Sequence, residues 1–329
     1  MNKLTPPLFI LLPTAIIIGL ASGKLLPSFG KSLDVIIDPL VLALLVLLLF
    51  EVRLKPLRFA QKNLPIIGLS WVVNFLLIPV IGWAIASFFF GGQDAIFLGL
   101  FLYFLFPCTD WFLAFTKIAK GDTELGAALI PINLVSQLLL FPLYLLICTG
   151  IQTNIELQSS MNTLIDWFIL PFASAFILRF FLYKMLSTEK FKSITSATEW
   201  IIPWVLFVLV FCIFSSNTGE LTNSLADFPS LIMAVFTFFL FTALVGETLA
   251  IWLRLPRAQQ VVLAMTTTAR NTPLMLGVAA VALPHQPLVY ATLITGMLIE
   301  FPHLTALSRL FLWKEKRELL SVGSPATST

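Results

Sequence analysis

Apolar runs of bilayer-crossing length recur from one end of this chain to the other, separated by short polar turns. A helix needs about 20 apolar residues to cross the hydrocarbon core. By that measure the pattern predicts ten spans: Leu8–Leu26, Val35–Phe50, Leu64–Phe90, Ala95–Phe115, Leu125–Thr149, Leu164–Tyr183, Trp200–Phe214, Pro229–Trp252, Gln259–Leu283 and Leu288–Trp313. The expected fold class is an all-α integral membrane protein. The third and tenth runs exceed the minimum and are expected to tilt or to carry an interfacial turn.

The basic residues fall on alternate turns. With ten spans both termini lie on one side, and that side holds 17 of the 20 Lys and Arg. They are Lys3; Arg53, Lys55, Arg58 and Lys62; Lys117 and Lys120; Arg179, Lys184, Lys190 and Lys192; Arg254 and Arg257; Arg309, Lys314, Lys316 and Arg317. The opposite side holds Lys24 and Lys31. The positive-inside rule then predicts a multi-pass protein of the cell membrane with both termini in the cytoplasm. The remaining basic residue, Arg270, lies in the middle of span nine.

Two spans are interrupted by polar residues and proline. Span four breaks at Pro107-Cys108-Thr109-Asp110-Trp111, and span nine at Ala269-Arg270-Asn271-Thr272-Pro273. Non-helical backbone at membrane depth survives only when it is buried in protein or lines a watery cavity. Ten spans divide into five plus five, residues 1–150 and 151–329. An odd number per half turns the second half upside down relative to the first, the inverted-repeat plan of many secondary transporters. An offset of 163 pairs Cys108 with Asn271 and Gln137 with Glu300. Matched broken helices point to a substrate site near the midplane, where half-helix ends present free N–H and C=O groups.

The polar residues of these spans carry the candidate chemistry. A carboxylate at membrane depth costs roughly 2.5–3.5 kcal/mol on insertion scales, so Asp110 and Glu300 need a reason to be there. Asp110 and Arg270 have opposite charge and lie in the two breaks. They read either as a gating or substrate-responsive pair or as a structural pair that neutralises both. Glu300, just before Pro302, reads as a proton carrier, against a bland reading in which it stays paired with Arg270 or His303. Cys108 could bind a soft metalloid through its thiol, or behave as the small hydrophobe that most buried cysteines are. Asn133 and Gln137 are four apart, share one helix face and are expected to face the pocket or a neighbouring helix. Glu247 reads as a snorkelling interface residue, and His285 as a solvated turn residue.

Composition agrees with the span pattern. The chain has 329 residues, 58% of them hydrophobic and 11% charged, with a mean hydropathy of +0.96. Soluble domains carry about 25% charged residues. The net charge of +3 is spread over loops and suggests no nucleic-acid partner. The three cysteines, Cys108, Cys148 and Cys212, all lie in or at the ends of apolar spans and define no disulfide framework. No P-loop is present. Neither an enzyme nor a cofactor is expected; a secondary transporter is.

Pro107-Cys108-Thr109, Lys120-Gly121-Asp122, Asn133-x-x-x-Gln137 and Ile299-Glu300-Phe301-Pro302 together resemble the arsenite efflux permeases of the Acr3 type, within the bile acid:sodium symporter superfamily. The likeness covers most of the span plan and is most specific in spans four, five, nine and ten. It implies ten helices in two inverted five-helix repeats, with interleaved panel and core subdomains and helices four and nine crossing in the core. It also implies export of trivalent arsenic as arsenite, and of antimonite, in exchange for protons. Cys108 and Glu300 match the two positions considered essential in that group, and Thr109, Asn133, Gln137 and Asn271 complete a substrate-binding set. Asp110, Arg270 and Glu300 form the coupling set. There are departures. Ala269-Arg270-Asn271-Thr272-Pro273 replaces a Ser-Asn-Asn pattern, and Asp110-Trp111 stands where the group is mostly apolar. Arsenite is neutral and needs no cation, whereas an arginine suits an anion. Two alternatives therefore stand beside arsenite export. One is a sodium- or proton-coupled symporter for a small organic anion clamped by Arg270. The other is a membrane sensor or scaffold with no flux.

Overall fold

The computed structural model describes residues 8–51, 63–109, 111–152, 173–175 and 177–322, and these are helical throughout apart from short connections. The principal helices are α1 (Leu8–Leu25), α2 (Asp34–Glu51), α3 (Leu64–Phe90), α4 (Asp94–Leu105), α5 (Phe112–Ile118), α6 (Thr123–Gln152), α7 (Thr188–Ser216), α8 (Phe228–Trp252), α9 (Arg257–Thr268), α10 (Thr272–Ala282) and α11 (Pro287–Val322). They fall on nine of the predicted spans. Half of the sixth, Leu164–Tyr183, lies outside the described residues, and its described part is helical. Two helices exceed the apolar pattern. α7 starts well before Trp200, where the Ser187 side chain caps it by accepting from the Lys190 N–H. α11 continues well past Trp313. Both extensions are polar, and hydropathy alone does not register a helix that leaves the lipid.

Among the described residues, five helices are long and apolar enough to cross a membrane: Leu64–Phe90, Thr123–Tyr144, Glu189–Ser216, Leu225–Trp252 and Pro287–Arg317. Large apolar side chains such as Ile17, Phe88, Leu139, Phe180 and Trp252 point outward, as a lipid-facing surface requires. α4 and α9 have 12 residues each, α10 has 11 and α5 has 7. A 12-residue helix is about 18 Å long, against about 30 Å of hydrocarbon. None of the four is long enough to cross alone; α4 with α5, and α9 with α10, fall on the two interrupted apolar runs.

The packing separates into neighbourhoods. α7 lies against α1 and α2, and α2 also meets α10. α4 packs on α3 and α11, while α8 packs on α9, α3 and α11. Aromatic rings fill the second group. Phe104 stacks on Phe238 with centroids 3.9 Å apart, and Phe106 contacts both Phe141 and Tyr144. Gly296 allows the Tyr103 ring to approach closely, since a Cβ there would sit 2.7 Å from it.

A shift of 163 residues carries Asp94–Leu105 onto Arg257–Thr268, residue for residue. The same shift carries Leu64–Phe90 onto Phe228–Trp252 to within one residue at each end. The helix boundaries thus repeat at the offset that relates the two polar breaks.

α3 contains one irregularity, a π-helical turn over Val73–Leu77. Pro79 follows and has no N–H to return to the Phe75 carbonyl, four residues back. The Tyr144 hydroxyl of α6 bonds to that carbonyl instead. π-turns are frequent at functional sites, and this one carries Asn74.

Candidate functional site

The two interruptions meet. Pro107 forces the residue before it out of the helical region, and Phe106 is extended at φ −119°, ψ 130°. Three successive β-branched threonines, Thr266–Thr268, end α9 before the extended Ala269 at φ −72°, ψ 137°. The extended stretches then pair with each other. Cys108 N–H donates to the Ala269 carbonyl at 2.9 Å, and Asn271 N–H donates to the Phe106 carbonyl at 3.0 Å. Pro107 and Arg270 form an antiparallel bridge. Backbone groups freed by each break are thereby satisfied by the other, which is what non-helical backbone at this depth requires. Pro273 enters the first turn of α10, where its missing N–H is not needed.

Glu300 of α11 closes one side of the crossing and is fully buried. Its Oε1 accepts from the Trp111 indole N–H at 2.9 Å and from the Arg270 main-chain N–H at 2.9 Å. One carboxylate oxygen therefore holds both breaks. The Tyr103 hydroxyl lies 3.4 Å from Oε2 and donates to the Gly296 carbonyl at 3.0 Å.

Arg270 is a large, fully buried side chain. Its guanidinium turns to main-chain carbonyls. Nη1 donates to Phe104 at 3.0 Å, Nη2 to Thr266 at 3.1 Å and to Thr267 at 2.5 Å, and Nε to Thr268 at 3.4 Å. The last four carbonyls of a helix have no partner within it, and the guanidinium supplies partners at the ends of both α4 and α9. The Phe238 ring lies beneath it, with Cζ 5.5 Å from the ring centroid. Asp110, expected to face this arginine, lies outside the described residues.

The remaining polar residues form two small clusters. Asn271 Nδ2 donates to Thr109 Oγ1 at 3.1 Å and to Gln137 Oε1 at 3.3 Å. Asn133 Nδ2 donates to Thr266 Oγ1 at 3.3 Å, and Asn74 Nδ2 reaches the same oxygen at 3.2 Å. All six side chains are buried. Asn74 Oδ1, Asn133 Oδ1, Asn271 Oδ1 and Gln137 Nε2 have no partner among the described residues. Buried amides in that state are rare in folded proteins and call for an explanation. Cys108 is fully buried at the crossing; neither it nor Cys212 is in a disulfide.

Of the residues expected from sequence, Thr109, Gln137 and Asn271 come into direct contact, and Glu300 and Arg270 join at the main chain of Arg270. Asn133 lies in the neighbouring cluster. Sequence reasoning passed over Asn74, Tyr103 and Thr266, and named Trp111 in the break without giving its side chain a role. An asparagine inside an otherwise apolar span is the signal that would have found Asn74. Glu247 is not merely snorkelling; it pairs with Lys314 at 2.5 and 2.7 Å. His303 does not pair with Glu300 but stacks on Phe239, with centroids 4.5 Å apart. His285 is exposed, as expected. A separate cavity of about 470 Å³, lined in part by Lys31, Asp34, Asp38, Asn217, His285 and Tyr290, lies at other helix ends.

The profile of the Sodium Bile acid symporter family matches residues 38–227, more than half of the chain. The chain belongs to that family. Members of the sodium bile acid symporter family are multi-pass membrane transporters, and the helical, outwardly apolar architecture agrees. The chain is also similar to the arsenical-resistance protein Acr3 of Corynebacterium glutamicum, 30% identical over 143 residues. That likeness covers 41% of this chain and 38% of the length of the relative.

Proposed function

We propose that this family member exports trivalent arsenic, as neutral arsenous acid, in exchange for protons. The observation that carries the reading is a set of three buried amide oxygens without partners among the described residues, that of Asn271 in one polar cluster and those of Asn74 and Asn133 in the other. A trihydroxy solute brings three O–H donors, and amide oxygens are acceptors only. Thr109 and Gln137 hold Asn271 in place. Cys108, next to Thr109 in the chain, is the soft ligand in this reading, and a single thiol gives the weak, reversible contact that a carrier needs. The likeness to an arsenical-resistance protein supports the same substrate.

An organic anion clamped by Arg270 has less support, because four guanidinium hydrogen bonds already go to main-chain carbonyls. Glu300 is the proton carrier in this reading. Its Oε2 faces a hydroxyl with two possible roles. Against a carboxylate, Tyr103 donates; once Oε2 is protonated, Tyr103 accepts from it and donates to Gly296 instead. Both states keep partners within the observed distances.

The frame for this chemistry is a pair of inverted five-helix repeats, residues 1–150 and 151–329, with both termini cytoplasmic. The repeat of helix boundaries at 163 residues and the antiparallel bridge between the breaks support it. α1, α2 and α7 would move as a panel against the core, opening the crossing to each side in turn.

Flux in proteoliposomes tests the reading. Arsenite efflux should follow an imposed proton gradient and ignore a sodium gradient. Cys108→Ser should lose most of it with protein still in the membrane. Sodium-driven uptake of a carboxylic acid, untouched by Cys108→Ser, would replace this reading with the anion symporter.

A further inference from the structure

Arg270 has a second consequence for how the carrier is driven. Each helix C-terminus carries about half a negative charge, so the ends of α4 and α9 together present about one. Carbonyls at half-helix C-termini inside a membrane commonly coordinate an inorganic cation. Here the carbonyls of Phe104, Thr266, Thr267 and Thr268 converge on a guanidinium instead. That group stays charged in proteins, and Phe238 covers it with a ring face, the surface that attracts cations. The arginine belongs to the chain, so the positive charge never leaves.

We infer that the Arg270 guanidinium is a tethered cation occupying a built monovalent-cation site, and that removing it uncovers a site for a free guanidinium or sodium ion. The site comprises the four carbonyl oxygens and the Phe238 face. Substrate and proton then move without an inorganic cation, because the counter-charge between the half-helices is covalently fixed. The carbonyls would otherwise be left without donors in a buried setting, at a cost of about 1–3 kcal/mol each. The charge thus has a structural use even with a neutral substrate. The inference rests on the transporter reading for its flux arm only.

The experiment uses purified full-length protein and compares wild type with Arg270→Ala, which keeps the main-chain N–H that Glu300 accepts. Wild type should melt at the same temperature in sodium chloride and in choline chloride, with arsenite flux equal in both. Arg270→Ala should melt lower and lose most of its flux. Guanidinium chloride at millimolar concentration, or sodium chloride, should raise its melting temperature by several degrees in a saturable way, as expected for ligand-linked stability. Choline, too large for the site, should do nothing. Equal melting of Arg270→Ala in all three salts, or a sodium requirement for wild-type flux, would overturn the inference. If Arg270→Ala does not fold, Arg270→Lys and Arg270→Met decide. The lysine should be the more stable of the two, and indifferent to sodium. A methionine variant as stable as wild type would overturn the tethered-cation role. Absence of arsenite flux in wild type would defeat the arsenic reading, yet the melting arm needs no substrate and would still stand or fall separately.

Discussion

Glu300 concentrates most of the crossing's connections in one side chain. Its Oε1 ties Trp111, at the start of α5, to the main chain of Arg270, just before α10. Hydrogen bonds to a charged acceptor contribute about 1.5–3 kcal/mol each, so this oxygen alone accounts for a sizeable part of the attachment between the breaks. Glu300→Gln keeps an acceptor at Oε1 but carries no proton. It should abolish arsenite movement driven by a pH gradient while sparing arsenite counterflow at equal pH. Retention of pH-driven accumulation in that variant would remove Glu300 from the coupling role. Cys108 and Glu300 were legible as candidates in the sequence because a thiol beside a proline break and a carboxylate inside an apolar run are both out of place there. Trp111 and Tyr103 were not legible. Aromatic residues are ordinary in apolar spans, and nothing local indicates that their polar ends meet a carboxylate 189 and 197 positions away.

At the scale of the element, the break in span four and the π-turn follow from proline, yet each is completed by a different helix. Pro107 ends α4, but its neighbours find hydrogen-bond partners in Ala269 and Asn271. Pro79 deprives the Phe75 carbonyl of its usual donor, and Tyr144 of α6 replaces it. Tyr144→Phe should therefore lower stability by about 1–3 kcal/mol, the cost of an unsatisfied buried acceptor. Thermal unfolding in detergent measures it. Because the same π-turn carries Asn74 to Thr266, arsenite affinity should fall in this variant as well. A Tyr144→Phe protein of unchanged stability would show that the Phe75 carbonyl finds another donor. The prolines made the places of interruption readable. The outcome of each interruption was not, because a freed carbonyl has no sequence-local partner.

The whole molecule combines a repeat with a charge bias, and the two make one topological prediction. Single cysteines introduced into the turn Gly91–Gln93 or at Gly219 should react with a membrane-impermeant maleimide added outside intact cells. Cysteines at Arg254 or near Lys120 should react only after the membrane is opened. Labelling of the Gly91–Gln93 turn from inside would invert the proposed orientation and, with it, the proposed direction in which a proton gradient drives substrate.

The sequence by itself determined the apolar runs, the two interruptions, their separation and the residue types available at them. Each of those depends on local quantities: the length of an apolar run, the missing N–H of proline, the cost of a charge in hydrocarbon. Only the tertiary structure decided where the long polar side chains go. The sequence offered Arg270 either an ion pair or an anion; the fold turned its guanidinium onto carbonyls as distant as Phe104, 166 positions away. Asn74 came to the same threonine as Asn133 across three helices. The physical reason is that a flexible side chain in a low-dielectric interior bonds to whatever unsatisfied group packing brings within about 3 Å, and packing between distant helices is not written in local spacing.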